Sequence, residues 1–385
     1  MEPLLISSTS KHRPRLTELN FELSKQASGF RRSLPQGIHR ALVQLVRSMN
    51  CYYSNLIEGH NTHPIDIERA LHNDYSTDAH RRDLQLEAKA HIEVQTWIEG
   101  SGLTQAATSK ASILEIHRRF CEHFPEDLLW VPGVDGDKKE RNEAGKFRRV
   151  NVQVGRHVAI NPASVERFLT HFETVFGNLG LSETVLASAA AHHRFLWIHP
   201  FLDGNGRVAR LMSHAMLLKA LDSGGVWSIS RGLARNVQVY KKNLSNCDLP
   251  RRGDLDGRGN LSEEALAEFT RFFLEICIDQ VQFMEKLVEP DRLHKRILTW
   301  AHDETQAGLL PAKASVVLEA ILFRGQIMRA EVPDLLGKVT ERHARRMISA
   351  LTQYGIIVSD NSRAPLRLAF PAKLASQFTP GLFPA

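Results

Sequence analysis

Between His199 and Arg210 the chain reads His-Pro-Phe-Leu-Asp-Gly-Asn-Gly-Arg-Val-Ala-Arg. Gly204 and Gly206 flank Asn205 and interrupt a helix-forming stretch, which predicts a tight turn with outward-pointing N–H groups, a cradle for an anion. Beyond it Val208, Leu211, Met212, Ala215 and Leu218 recur at helical spacing, so the cradle opens a helix whose dipole favours phosphate. Arg207 and Arg210 lie three apart on one helical face and could reach successive phosphates of one ligand. Asp203 supplies the hard carboxylate oxygen that a phosphate-bound Mg2+ uses. His199, just ahead of the turn, can take a proton from an attacking hydroxyl near neutral pH. A base, a metal carboxylate, a phosphate nest and two arginines together describe phosphoryl or nucleotidyl transfer.

The same run matches every defined position of His-x-Phe-x-(Asp/Glu)-Gly-Asn-Gly-Arg-x-x-Arg, and so resembles the signature of Fic-domain proteins. The resemblance covers about residues 50 to 245. It implies a protein adenylyltransferase that moves AMP from ATP to a Tyr, Ser or Thr hydroxyl of a target protein. His199 would be the base and Asp203 the Mg2+ ligand. Gly204, Asn205 and Gly206 would cradle phosphates, with Arg207 and Arg210 on the outer ones. Ser54-Asn55-Leu56-Ile57-Glu58-Gly59 resembles the inhibitory helix that some family members carry ahead of the motif, at about 50–59 here. That implies a carboxylate, Glu58, paired with Arg210, and a serine, Ser54, that helps to hold the helix. Sites with an intact inhibitory glutamate also run in reverse, Glu58 then activating water to remove AMP. A DNA-binding regulator with a nucleotide-sensing Fic domain is the other alternative.

These groups need a scaffold, and the periodicity is mainly that of helices. Ile38, Leu42, Leu45 and Val46 mark one, and residues 64–103, 109–120, 165–176, 182–198 and 261–288 read as others. Residues 1–33 show little sustained periodicity and are expected to form an arm that packs loosely or along the surface. The loop from Val131 to Lys146 is rich in glycine and charge. After it, Val150, Val152, Val154, Val158 and Ile160 alternate around Gly155-Arg156 and read as a β-hairpin. By resemblance this is the Fic flap, whose residues Asn151, Val152, Gln153, Val154 and Gly155 would hold the target segment. Tyr240, in the helical stretch after the motif helix, would wall the adenosine pocket. His192 and His193 are adjacent, point about 100° apart on a helix and cannot chelate one ion together.

From Lys313 to Ala385 there are ten Lys/Arg and five Asp/Glu, leaving 39 against 38 for the remainder. The net charge of +6 therefore belongs mostly to the C-terminal piece. There, helices at 316–323, 330–336 and 340–354 precede two short apolar stretches, 356–358 and 366–370. This resembles a winged helix-turn-helix domain, with Arg342, Arg345 and Arg346 on the third helix and Arg363 on the wing as candidates for DNA. The expected organisation is an N-terminal helical region 1–110, a Fic core with closing helices 111–290, and the winged domain 291–385. The fold class is mainly α. A composition of 43% hydrophobic and 24% charged residues suits a globular protein. Without an apolar run of bilayer length or a secretory h-region, the expected setting is the cytoplasm, with no membrane partner. Cys51, Cys121, Cys247 and Cys277 lie far apart and are expected to be reduced and buried. A glutamate switch that must be released points to a partner or a homodimer.

Overall fold

In the computed structural model, residues 1–132 and 139–384 are described; part of the glycine-rich loop, 133–138, lies outside the described residues. They form two compact units, Met1–Ser28 with Asn50–Val281, and Gly29–Met49 with Gln282–Ala385. The fold is mainly helical, with a few short strands.

α1 (Arg13–Ser33) as far as Ser28 and α2 (Gln36–Ile57) from Asn50 belong to the first unit, and lead to α3 (Pro64–Leu71), α4 (Ala79–Glu99) and α5 (Lys110–Cys121). The hairpin strands β1 (Trp130–Pro132) and β2 (Lys139–Arg141) follow, then β3 (Gln153–Val154) and β4 (His157–Val158). α6 (Val165–Phe176), α7 (Leu181–Ile198), α8 (Asn205–Leu221), α9 (Ser230–Arg235), α10 (Val237–Asn246) and, as far as Val281, α11 (Glu263–Leu287) complete it. α7 and α8 are the central pair. Val185 to Phe195 of α7 and Arg207 to Leu217 of α8 are buried without a break, as expected of helix segments enclosed on all sides.

The N-terminal residues are not a loose arm. Leu16, Leu19, Leu23 and Ala27 are buried along one face of α1, and Asn20 Nδ2 donates to Ser182 Oγ at 2.8 Å at the start of α7. The apolar positions recur at spacings of 3, 4 and 4 among many polar residues, which hid the stripe. Three buried leucines at about 1.5–3 kcal/mol apiece are ample to dock the helix.

In α4 every fourth residue from Glu87, namely His91, Gln95 and Glu99, is polar and faces inward. Glu87 meets Arg207 and His60, and His91 and Gln95 meet Asn50. Glu99 accepts from His214 Nε2 at 2.9 Å. This ladder runs beside α8 and the last turns of α2.

The second unit contains α12 (Pro290–Gln306), α13 (Ala314–Arg324), α14 (Val332–Leu335), α15 (Glu341–Gln353) and α16 (Ala375–Phe378). Its strands β5 (Gln326–Ile327), β6 (Ile357–Val358) and β7 (Leu366–Leu368) form an antiparallel sheet in the order β5-β7-β6. Gln326 pairs with Arg367 and Ile357 with Leu368. β5 adds a strand to the two read from the sequence. Met347, Leu351, Val317, Leu318, Leu366 and Leu368 are buried, and Trp300 sits edge-on to Tyr354 and Phe378.

Candidate active site

α7 ends at Ile198, and His199 follows in the left-handed region at φ 50, ψ 63, its N–H donating to Phe195 O at 3.0 Å. A non-glycine residue in this conformation is held by its surroundings. Here the holding group is Arg148, whose Nε donates to His199 O at 2.7 Å. Nη1 of the same guanidinium donates to Val150 O at 2.9 Å, and Nη2 to Ile160 O at 2.5 Å. One buried arginine thus joins the catalytic-candidate histidine to both stems of the β3–β4 hairpin.

The His199 Nδ1 lies 3.3 Å from Leu196 O. A carbonyl only accepts, so Nδ1 carries the proton and Nε2 is left as the acceptor. Burial lowers the imidazole pKa to about 4, opposed by that backbone bond and assisted by the Arg148 and His157 charges. At neutral pH His199 is therefore an unprotonated base.

The turn after it is clamped by Asn205. Its Oδ1 accepts from Phe201 N at 3.0 Å, and its Nδ2 donates to Phe201 O at 2.9 Å. Gly204 caps α8 at φ 83, where a side chain would be strained. The first bond of the helix runs from Val208 N to Gly204 O, so the amides before it point out of the N-terminus. His117 of α5 supports the turn from behind: it stacks on Phe201 with ring centroids 3.8 Å apart, and its Nδ1 accepts from Gly145 N. Its Nε2 then carries the proton and donates to Asp203 O at 3.2 Å.

Arg210 Nε donates to Ser54 Oγ at 2.8 Å and Nη2 to Ser54 O at 3.0 Å. Nη2 also meets Glu58 Oε1 at 2.5 Å. The Arg210 side chain is 1% exposed and that of Glu58 32%, so the pair is reached only from the Glu58 side. Burial pushes the Glu58 pKa up, but Arg210, Arg207 and Lys241 together outweigh it, and the net shift is downward. Glu58 is ionised at neutral pH.

A cavity of about 530 Å³ opens over this pair, walled by Glu58, Val154, Gly155, His199, Gly206, Arg210 and Tyr240, with Lys241, Trp197 and Asp248 among the others. Tyr240 OH is 2.7 Å from His192 Nε2, and His192 Nδ1 is 2.9 Å from Ser213 Oγ. His193 turns instead to Asp248 Oδ1 at 3.0 Å, so the adjacent histidines diverge.

Other candidates from the sequence lie off this wall. Ser54 is buried behind Arg210, and Asn205 is occupied in the turn. Arg207 is buried with Nη1 3.0 Å from Glu87 Oε2 and its guanidinium 5.1 Å over the Phe120 ring. Asp203 is exposed at the N-terminal turn of α8. No group of three or more metal-ligating side chains occurs among the described residues. The hairpin is shorter than the alternating run implied. Gln153 pairs with Val158 and Val154 with His157, while Asn151, Gln153, Val154 and Gly155 are exposed and Val152 is half-buried. Arg342, Arg345, Arg346 and Arg363 of the second unit are exposed, with Arg345 Nη2 2.9 Å from Glu341 Oε2.

Sequence reasoning passed over Arg148 and Glu87. Nothing local marks Arg148, which follows Phe147 and precedes another arginine. The repeat Glu87, His91, Gln95, Glu99 at intervals of four among apolar neighbours was a readable sign of a polar face turned inward.

Residues 107–217 match the family model of the Fic/DOC family, and this segment of the chain carries a Fic domain. Over 110 residues, 28% of this chain and 19% of the relative, it is 37% identical to a protein adenylyltransferase Fic of Aedes aegypti. Over 198 residues, 49% of this chain and 38% of the relative, it is 28% identical to the protein of that name from Drosophila grimshawi. The chain thus spans well under half the length of these curated relatives. In fold it is similar to a Fic family protein from Desulfovibrio desulfuricans G20, at a TM-score of 0.56 and 15% identity over 95% of this chain and 98% of that one. It is also similar to Fic-1 of C. elegans, at a TM-score of 0.52 and 17% identity over 72% and 74% of the two chains.

Proposed function

We propose that the protein is a protein adenylyltransferase, moving AMP from ATP to a Tyr, Ser or Thr hydroxyl of a target protein, and that Glu58 holds it inactive. The observation that carries this reading is the Arg210–Glu58 pair set beside the unprotonated His199 in one cavity. A carboxylate on Arg210 removes the cation that an outer phosphate needs.

With Glu58 withdrawn, Gly204 to Gly206 at the α8 N-terminus would receive phosphate oxygens, and Arg210, supported by the charge of Arg207, the outer ones. His199 Nε2 takes the proton of the target hydroxyl as its oxygen bonds to the α-phosphorus. The bond from that phosphorus to the bridging oxygen breaks, and pyrophosphate leaves. Asp203 fits an ion whose other ligands are phosphate and water, being a single exposed carboxylate at the phosphate end of the helix. Mg2+ there would neutralise phosphate charge. Asn151 to Gly155 would pair with the target backbone along the exposed hairpin edge, and Tyr240 would wall the adenosine site.

Transfer of label from α-labelled ATP to the protein itself or to lysate is the test, with wild type, Glu58→Gly, and Glu58→Gly with His199→Ala. Strong labelling in Glu58→Gly alone is the expected result. No labelling in any of the three would overturn the reading, and AMP release from a pre-modified target would then be measured.

The second unit we read as a winged helix-turn-helix. The support is the order α13, β5, α14, α15, β6, β7, whose three strands form one antiparallel sheet, with Arg342, Arg345, Arg346 and Arg363 exposed. Its partner would be DNA. A mobility shift that weakens steeply with salt is expected, and Arg346→Ala should reduce the salt slope by about one unit. We further read the setting as cytoplasmic and the release of Glu58 as controlled by a partner or a homodimer. Activity that does not change between monomer and dimer in sedimentation-matched assays would sink the homodimer arm.

A further inference from the structure

The two arginines of the motif are held by two different carboxylates, and the second one leads back to the inhibitory segment. Glu87 Oε2 lies 3.0 Å from Arg207 Nη1 and 2.6 Å from His60 Nδ1. Glu87 is buried, with its side chain 10% exposed, and Arg207 is buried at 5%. His60 comes two residues after Glu58, and its N–H donates to Asn55 O at 3.0 Å, as does that of Glu58. The segment carrying Glu58 is therefore fastened on both sides: at Ser54 by Arg210, and at His60 by Glu87.

We propose that Glu87 is a positioning residue for inhibition, its single carboxylate oxygen tying the motif helix, through Arg207, to the turn that presents Glu58, through His60. This rests on Glu58 being the inhibitory residue. Arg207 is thereby a strut rather than a wall of the cavity. Its buried charge is matched by Glu87, so the strut cannot be relaxed without leaving a charge unpaired. His60 is the releasable end. Its side chain is 36% exposed, and its removal leaves the Arg207–Glu87 pair intact. A partner that engages His60 would loosen Glu58 without entering the cavity.

The test uses the full chain with His60→Ala, Glu87→Gln, Glu58→Gly, and Glu58→Gly combined with His60→Ala. Two quantities are read: amide hydrogen exchange at residues 57–60 without nucleotide, and labelling from α-labelled ATP. His60→Ala should raise exchange there by about tenfold or more, as loss of one charge-assisted hydrogen bond implies. It should raise labelling above wild type toward the Glu58→Gly level. In the Glu58→Gly background the same change should add nothing, because no inhibitor remains to be held. Glu87→Gln, which keeps the shape and one acceptor oxygen but not the charge, should act in the same direction if it folds; His60→Ala, at a half-buried loop, decides the matter if it does not. Unchanged exchange at 57–60 in His60→Ala overturns the proposal, as does an equal effect of His60→Ala on labelling with and without Glu58. Raised exchange together with no labelling in any variant upholds the latch and removes the transferase reading instead.

Discussion

A Cβ built on Gly206 would lie 2.1 Å from Glu58 Oε1 and 3.1 Å from Arg210 Nη1. The smallest side chain would thus contest the place that the Glu58 carboxylate occupies and that a phosphate oxygen is proposed to take. Gly206→Ala should expel Glu58 and yet fail to activate, because the methyl group also bars the helix N-terminus to phosphate. Compared with Glu58→Gly, the double variant Glu58→Gly with Gly206→Ala should lose at least about a hundredfold in labelling rate, a loss of the size that small misplacements of a reacting group produce. Labelling by Gly206→Ala alone at the Glu58→Gly level would contradict this. His199 makes a related point about residue type. Its fitness for the proposed role of base comes from the backbone carbonyl of Leu196, which settles the tautomer, and from burial, which keeps the ring unprotonated.

At the scale of elements, the turn proposed to be catalytic is carried by α7 and α8 but braced by α5 through His117. His117→Phe would preserve the stacking on Phe201 while deleting the bonds to Gly145 N and Asp203 O. The expected cost is about 1–3 kcal/mol in unfolding free energy, with a lower labelling rate in the Glu58→Gly background; denaturant titration and the rate assay check the two parts. Much of this scaffold was legible in the sequence, because α6, α7 and α8 carry strong signals: an apolar period, Gly204 at the cap, and Pro200 after the stop. The hairpin was legible in place but not in length. Residues 148–152 and 159–160 alternate like strands, yet Arg148 takes the carbonyls of Val150 and Ile160 for itself, and only two residues on each side remain to pair. β5 was invisible because two residues carry no period. α1 was missed because its leucines stand singly among charged neighbours, and only the surface that covers them makes the stripe evident. The motif stood out in the sequence because its residue types are chemically specific, whereas Arg148 and Glu87, which stand out only by what they touch, did not.

At the scale of the whole molecule, the first unit encloses an unusual number of neutral histidines. Burial lowers His91 and His192 to about 3 and His117, His193 and His199 to about 4. Between pH 4 and 6.5 the unfolded chain binds protons that these folded rings refuse. Stability should therefore fall as pH drops through this window, by about 1.4 kcal/mol per pH unit for each ring, and be flat above it on their account. Glu58 and Glu87, both lowered, add losses further down, below the ordinary carboxylate range. His60, raised by its bond to Glu87, works the other way: its contribution is full below pH 6.5 and is lost as pH rises through its folded value. Urea midpoints from pH 4.5 to 8 should rise steeply and then level; a midpoint independent of pH below 6.5 would refute the assignment. The ladder along α4 has a consequence of another kind. Rungs recurring at one helical pitch, about 5.4 Å, would in principle let α8 settle at any of several heights, but no two neighbouring rungs are chemically alike. Arg207 finds a carboxylate only at the first and His214 only at the last. Sliding by one rung would set a guanidinium against the imidazole of His91. The ladder is in effect a keyed rack that fixes the elevation of the α8 N-terminus relative to Glu58, so that the proposed inhibitor and the arginine it would block arrive level as the chain folds.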